Sequence, residues 1–445
     1  MRALILTSQL GHGHTRAAEA IEAALAYRDP ATCIHRLDLW SLVDAKAADA
    51  LKEGYLELAT EHPEVYDQLY HSHTWYQLLG KQPVPETVAR VVNKIIDRWF
   101  PPNKSWLAPR TSNMDQALLL SLLEMLTGRS SPVGEAIIRP GVLMWMRALL
   151  LRRLKAELVR YAPDILIATQ VYLAALMNVA KRRGDFRNMP MLCVMTDYGI
   201  HEFWVQFGTR GAYCVATESI ADRLRARGVP DERVHVTGIP LMPEFSDPPS
   251  QSDARRQLGL DPEGRLVLVT GGWFGIGVSQ AVKGLMDCAL DCQVLVTTGR
   301  ADNEDVRMLK SLEQRFPHRL HLIEWSDQMP QLLRAADVVV GKPGGLSVAE
   351  ALACGRPFIA TTSLGGQEGF NLRFLEAHGV GREMPPEALF DGLHALLASP
   401  GELKRAQTRA LKLGCRDGAD RIAQLAAASA LHQNRDAVPW ITQKR

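Results

Sequence analysis

Cysteine is scarce, with seven residues in a chain of 445, an odd number scattered along its length. None shares zinc-ligand spacing with another Cys or His; Cys288 and Cys292 lie a helical turn apart without companions and read as packing. A disulfide scaffold is thereby excluded as the organising device, and the pattern fits a reducing compartment. Net charge is nearly absent as well. Lys and Arg number 51 against 49 Asp and Glu, leaving +2, so no bulk attraction to nucleic acid is implied. No uncharged apolar run reaches the roughly eighteen residues of a spanning helix. Met1-Arg2-Ala3-Leu4-Ile5-Leu6 reads as a strand and lacks a signal-peptide layout, so a cytoplasmic address is expected. No Asp-x-Asp follows a predicted strand to hold Mg²⁺ on a nucleotide diphosphate, and no metal site is expected.

What is present describes a globular chain: 47% hydrophobic and 22% charged residues, with length for two ordinary domains. Apolar runs at 3–8, 32–37, 164–170, 190–196 and 213–217 alternate with helical patterns, the first of these over 15–27. Residues 243–253, rich in Pro, Ser and Asp, read as a linker. The alternation restarts more cleanly at 266–270, 293–298, 320–324, 337–340 and 358–361. Such alternation predicts an α/β fold of two Rossmann-like parallel-sheet units, 1–245 and 246–425, with a tail over 426–445. Residues 40–150 interrupt the first unit with a helical, aromatic-rich insertion. Its end, 138–161, sets Trp145, Met144, Met146 and Leu149 beside Arg147, Arg152 and Arg153. Such a helix either lies in a membrane interface or packs into the core.

The stretch Gly341-Lys342-Pro343-Gly344-Gly345-Leu346-Ser347-Val348-Ala349-Glu350 reads as a strand end, a glycine turn and a helix start. Glycines at such a turn let backbone N–H groups approach an anion, and the helix N-terminus adds partial positive charge. Glu350, about one turn into the helix, is placed to accept hydrogen bonds from hydroxyls such as those of a ribose. Downstream, Gly366-Gln367-Glu368-Gly369-Phe370-Asn371 offers amides and a carboxylate suited to sugar hydroxyls. Phosphate, ribose and sugar together point to a nucleotide-sugar.

These two segments resemble the donor-binding signature of glycosyltransferase family 28, in its diacylglycerol branch. Leu6-Thr7-Ser8-Gln9-Leu10-Gly11-His12-Gly13-His14-Thr15-Arg16 resembles the family's N-terminal glycine-histidine loop. Thr196-Asp197-Tyr198-Gly199-Ile200-His201-Glu202-Phe203-Trp204-Val205 resembles its "TD–H–WV" motif, with Val236-Thr237-Gly238-Ile239-Pro240 downstream. The three motifs keep the family's order, and the resemblance covers most of the chain outside 40–150. It implies the GT-B architecture, two domains facing across a cleft, and metal-independent, inverting transfer of a hexose from UDP-glucose or UDP-galactose to diacylglycerol. The enzyme would then be peripheral, monotopic at the cytoplasmic face of the membrane, with no cofactor beyond its donor.

Candidate residues follow. His14 heads a helix after the Gly13 loop, where a neutral imidazole can act as general base; the plain alternative is a loop residue capping the helix. Asp197 and His201 share the proton work or orient the acceptor, or else are a turn Asp and a surface His. Trp204 packs or lines the acceptor, and His12 is unassigned. Gly272, in the loop Gly271-Gly272-Trp273-Phe274, is a weak phosphate-loop candidate, since such loops occur in many α/β proteins, and Trp273 and Phe274 are bulkier than the family's residues there. By resemblance, Glu324-Trp325 flanks the uracil. Gly344, Gly345 and Glu350 would hold diphosphate and ribose; Gln367, Glu368 and Asn371 would hold the sugar. Rival expectations are N-acetylglucosamine transfer to a polyprenyl-linked cell-wall precursor, a UDP-N-acetylglucosamine 2-epimerase, and a non-catalytic lipid or nucleotide-sugar sensor.

Overall fold

The computed structural model describes residues 1–9, 12–42, 150–201, 203–206, 210–287, 290–299, 304–361 and 366–435. Most of the expected insertion, and the end of the expected tail, lie outside them. Strands β1 (Arg2–Thr7), β2 (Cys33–Asp38), β3 (Ile165–Ala168), β4 (Met191–Val194), β5 (Ala212–Val215) and β6 (Val234–Val236) form one sheet in the order β2-β1-β3-β4-β5-β6. A second sheet holds β7 (Leu266–Thr270), β8 (Gln293–Thr297), β9 (Leu320–Ile323), β10 (Val338–Gly341), β11 (Phe358–Ala360) and β12 (Gly381–Glu383), in the order β12-β11-β10-β7-β8-β9. Neighbouring strands pair in parallel throughout, for example Leu4 with Leu166 and Val339 with Leu268.

The central strands are continuous apolar runs because helices cover both faces of a parallel sheet. Ala3 through Leu6 and Ile165 through Ala168 are fully buried, as are Val338 through Val340. The edge strands β2 and β12 carry exposed polar residues instead. Strands β6 and β12 were not expected from the sequence; each has three residues, too few to show a periodic pattern.

Two expectations change at the joints. The residues read as a linker form a short 3₁₀ turn, Pro243–Phe245, and a helix, Gln251–Gln257. Ser250, part of that polar composition, is the helix N-cap and accepts from the Asp253 N–H at 3.2 Å. Over 150–161 the basic helix buries Leu151 and turns Leu154 and Leu158 into the first core, so this part is a packing helix. Cutting Leu154 or Leu158 to Ala would cost about 2–5 kcal/mol. The rest of that candidate membrane helix, 138–149, lies outside the described residues.

The final helix, Gly418–Arg435, crosses back to the first unit. Its Ile422, Ala423, Ala426 and Ala430 share one cluster with Ala18, Ile21 and Leu25 of the helix Gly13–Arg28. The small alanine face permits this close approach of two helices. The two units are therefore stitched together twice, at 237–245 and at 413–418, where Gly238 lies against Cys415.

Candidate functional site

In open parallel sheets the crevice forms beyond the strand carboxyl ends, where connections leave in opposite directions. Here that is β1/β3 in the first sheet and β10/β7 in the second. The loop after β1 delivers His12 and His14, β3 leads to Thr169, and β4 leads to Thr196 and Asp197. From the other unit, β7 leads to Gly271 and β10 to Lys342, Pro343 and Gly344, the N-cap of the helix Gly345–Ala353.

His14 lies in the first turn of its helix. Its carbonyl accepts from the Thr169 hydroxyl at 3.1 Å, and its Nδ1 lies 3.3 Å from the Thr196 hydroxyl. Burial pushes the imidazole pKa below its ordinary value, while the Asp197 carboxylate pulls it partly back up. The ring is thus biased toward the neutral form with a counter-charge at hand.

Asp197 is held from the opposite unit. Asn371, on the helix Gln367–Ala377, is completely buried, and its Nδ2 donates to Asp197 Oδ1 and to the Pro343 carbonyl, each at 3.0 Å. Its Oδ1 accepts from the Tyr198 N–H at 2.8 Å. Both N–H groups and the carbonyl expected to meet a sugar are thus engaged by protein in this conformation. Gly345 makes the approach possible: a Cβ there would lie 2.0 Å from the Thr196 carbonyl oxygen and 2.6 Å from Asp197 Oδ1. Beside it, Tyr198 stacks on Phe374 with ring centroids 4.1 Å apart.

Two further carboxylates stand in different surroundings. Glu350, half-buried, has its pKa pushed up to about 7 by burial, tempered by Arg16 of the first unit. Glu368 is 1% exposed and ion-paired with Lys342. Lys342 stood inside the glycine motif but drew no assignment, since only the fold brings Glu368 to it, 26 residues on. Gln367 opens its helix half-buried, after Gly366 at φ 58°.

The remaining candidates divide. His12 takes the left-handed conformation, φ 57°, and stacks on Trp273 with centroids 3.9 Å apart, while Trp325 meets both rings edge-on. The bulky residue at 273 thus joins the two units through His12, which sequence reasoning left unassigned. Gly272 turns at φ 65° just before it. Gly13 comes within ordinary contact of Leu346. The His201 ring lies edge-on to Tyr172 at 6.5 Å. Trp204 is a core residue, 5% exposed, whose carbonyl accepts from the Tyr213 hydroxyl. Among the described residues, no group of three His, Cys, Asp or Glu could hold one metal ion, and no helix is long and apolar enough to cross a membrane.

Residues 266–422 match the model of the glycosyltransferase family 28 C-terminal domain, and residues 129–241 match that of monogalactosyldiacylglycerol synthase. Residues 266–422 place the second unit in glycosyltransferase family 28. Curated relatives include a processive diacylglycerol beta-glucosyltransferase of Staphylococcus saprophyticus, 29% identical over 57% of this chain and 64% of that protein. A probable monogalactosyldiacylglycerol synthase 2 of Oryza sativa is 30% identical over 58% of this chain and 57% of that one. The chain spans less than two thirds of the length of these curated relatives. Among solved structures, MurG of Acinetobacter baumannii superposes with a TM-score of 0.54 at 13% identity, covering 96% of this chain and 99% of that one. The UDP-GlcNAc 2-epimerase of Neisseria meningitidis gives 0.52 at 12% identity, covering 96% and 100%. At these identities the likeness is one of fold, and the chain has the GT-B architecture expected of it.

Proposed function

We propose that the chain transfers a hexose from UDP-glucose or UDP-galactose to diacylglycerol with inversion, forming a β-monoglycosyldiacylglycerol. The observation that carries this reading is His14, biased to its neutral form by burial and coupled to Asp197, the residue against which Gly345 of the glycine turn packs. One carboxylate-supported base and one backbone cradle thus meet at a single point between two domains. The two named relatives, one for each sugar, support the acceptor class and leave the donor open.

In the proposed reaction the acceptor hydroxyl attacks the anomeric carbon. Its oxygen forms the new bond, the bond from that carbon to the diphosphate oxygen breaks, and UDP leaves with the electron pair. His14 takes the hydroxyl proton on Nε2, its Nδ1 being the nitrogen near Thr196, and Asp197 stabilises the imidazolium that results. The Gly345 helix N-terminus and Lys342 offset charge developing on the diphosphate. Glu350 receives the ribose hydroxyls and Gln367 faces the sugar, while Glu368, buried against Lys342, holds that lysine in place. Diacylglycerol resides in lipid, so the reaction is placed at a membrane surface, on its cytoplasmic face, with the enzyme peripheral.

Purified protein with diacylglycerol liposomes and each donor separately, followed by mass spectrometry, tests this. The expected product is hexosyl-diacylglycerol, absent with a His14→Ala variant; a dihexosyl species would reveal repeated addition. No lipid product with either donor would overturn the acceptor class. Turnover of UDP-N-acetylglucosamine with a polyprenyl-linked acceptor would then favour the cell-wall reaction, and donor binding without any turnover would favour a sensor.

A further inference from the structure

We propose that Asn371 is a positioning residue, fixing the Asp197 carboxylate between His14 and the Pro343-Gly344-Gly345 turn so that one buried amide links the two halves of the site. This rests on the reading of His14 as the base. A primary amide offers two N–H donors and one carbonyl acceptor. All three are used, and no water is needed to satisfy them: Asp197 Oδ1 and the Pro343 carbonyl take the two N–H groups, and the Tyr198 N–H meets the carbonyl. The bonds are divided between the units. Asp197 and Tyr198 follow β4 of the first sheet, while Pro343 follows β10 of the second.

Three consequences follow from this geometry. The Asp197 carboxylate is given one orientation, since Oδ1 is pinned by Nδ2 and the adjoining backbone is pinned through Tyr198. That orientation exists only while the two units are together, because Asn371 arrives on the helix Gln367–Ala377 of the second. A shift of the Pro343 carbonyl reaches Asp197 through a single side-chain nitrogen. An anion seated at the glycine turn therefore acts on the same amide that orients the partner of His14. A direct contact between Asn371 and the sugar would require breaking one of these bonds in a site where the side chain is 0% exposed.

The test is a double-mutant cycle on the full chain, combining Asn371→Ala with Asp197→Asn. It is read by the His14 imidazole titration in ¹³C-histidine NMR and by steady-state kinetics, with thermal melts to establish folding. Acting through Asp197, Asn371→Ala should move the His14 titration in the same direction as Asp197→Asn and have no further effect in that background. kcat should fall about tenfold to a hundredfold, the scale of a displaced catalytic group, with donor KM within about twofold. A raised donor KM with unchanged kcat would overturn the proposal in favour of sugar contact. Additive effects in the cycle, or an unmoved His14, would overturn it as well. Should the alanine variant not fold, Asn371→Ser enters the same cycle with the same expectations. If wild-type protein transfers no sugar, the function reading fails while the NMR cycle still decides the linkage.

Discussion

The two sheets approach one crevice with different materials. The first unit contributes side chains that hold or move a proton: His14 near Thr196, its carbonyl bound by Thr169, with Asp197 alongside. The second contributes backbone and fixed charge: a glycine turn, a helix N-terminus and the Lys342–Glu368 pair. Proton transfer needs one group tuned by its surroundings, so a single imidazole suffices if burial and a counter-charge set it. Holding a polyanion needs many weak donors in fixed positions, and that places demands on the backbone. The proposed division of labour predicts unequal failures when each side is damaged.

The largest failure should come from the first side. His14→Ala should lower transfer by about 10²–10⁴, the usual contribution of a positioned base. UDP affinity by calorimetry should stay within about twofold, because the cradle is untouched. A parallel loss of UDP binding would place His14 in donor recognition instead.

Damage to the second side should first appear as stability. Lys342→Met leaves Glu368 buried without its counter-charge and should cost about 3 kcal/mol, the low end for a broken buried pair because Lys342 is itself 21% exposed. The double variant Lys342→Met/Glu368→Gln should recover most of that loss in urea titrations. If it recovers none, the pair is not what the lysine contributes to folding.

The contact between the sides can be probed with a single methyl group. Gly345→Ala would place a Cβ 2.0 Å from the Thr196 carbonyl and should cost about 1–3 kcal/mol while displacing Asp197 from His14. Gly13→Ala meets only Leu346 at 3.9 Å, an ordinary contact, and is the matched control. Equal losses in the two variants would refute the close approach.

The same division governs what could be read from the sequence. A backbone cradle must be written in glycine, so the Gly344–Gly345 turn and Glu350 were legible, as were the apolar central strands. The three-residue edge strands carried too little pattern, and the polar segment 243–253 concealed a helix behind its own N-cap, Ser250. Thr169 and Thr196 are ordinary strand-end residues until β3 and β4 bring them to His14. Asn371 stood out in the sequence for its position beside Gln367 and Glu368. Its partners Asp197 and Tyr198 lie more than 170 residues away on another sheet, and no local pattern records such a bond. Trp204 shows the converse: a motif marks a segment, and the fold turned this side chain of it into the core.

The subtlest difference between the sides lies in their pH dependence, where the signs oppose. His14 has a folded pKa below its ordinary 6.5, so the unfolded chain binds the proton more readily, and stability from this group rises with pH up to about 6.5. Glu350 is raised from 4.5 to about 7, so the folded chain binds the proton more readily, and stability from this group falls as pH rises through that window. Below about pH 6.5 the two slopes oppose each other in the intact protein. Glu350→Gln should expose the His14 slope, with stability increasing toward neutral pH. His14→Gln should expose the opposite one, stability falling between about pH 4.5 and 7. Each slope is bounded by about 1.4 kcal/mol per pH unit, the limit for one proton. Denaturant titrations at half-unit intervals would separate them; identical profiles for both variants would mean that neither group is tuned by burial as the fold implies.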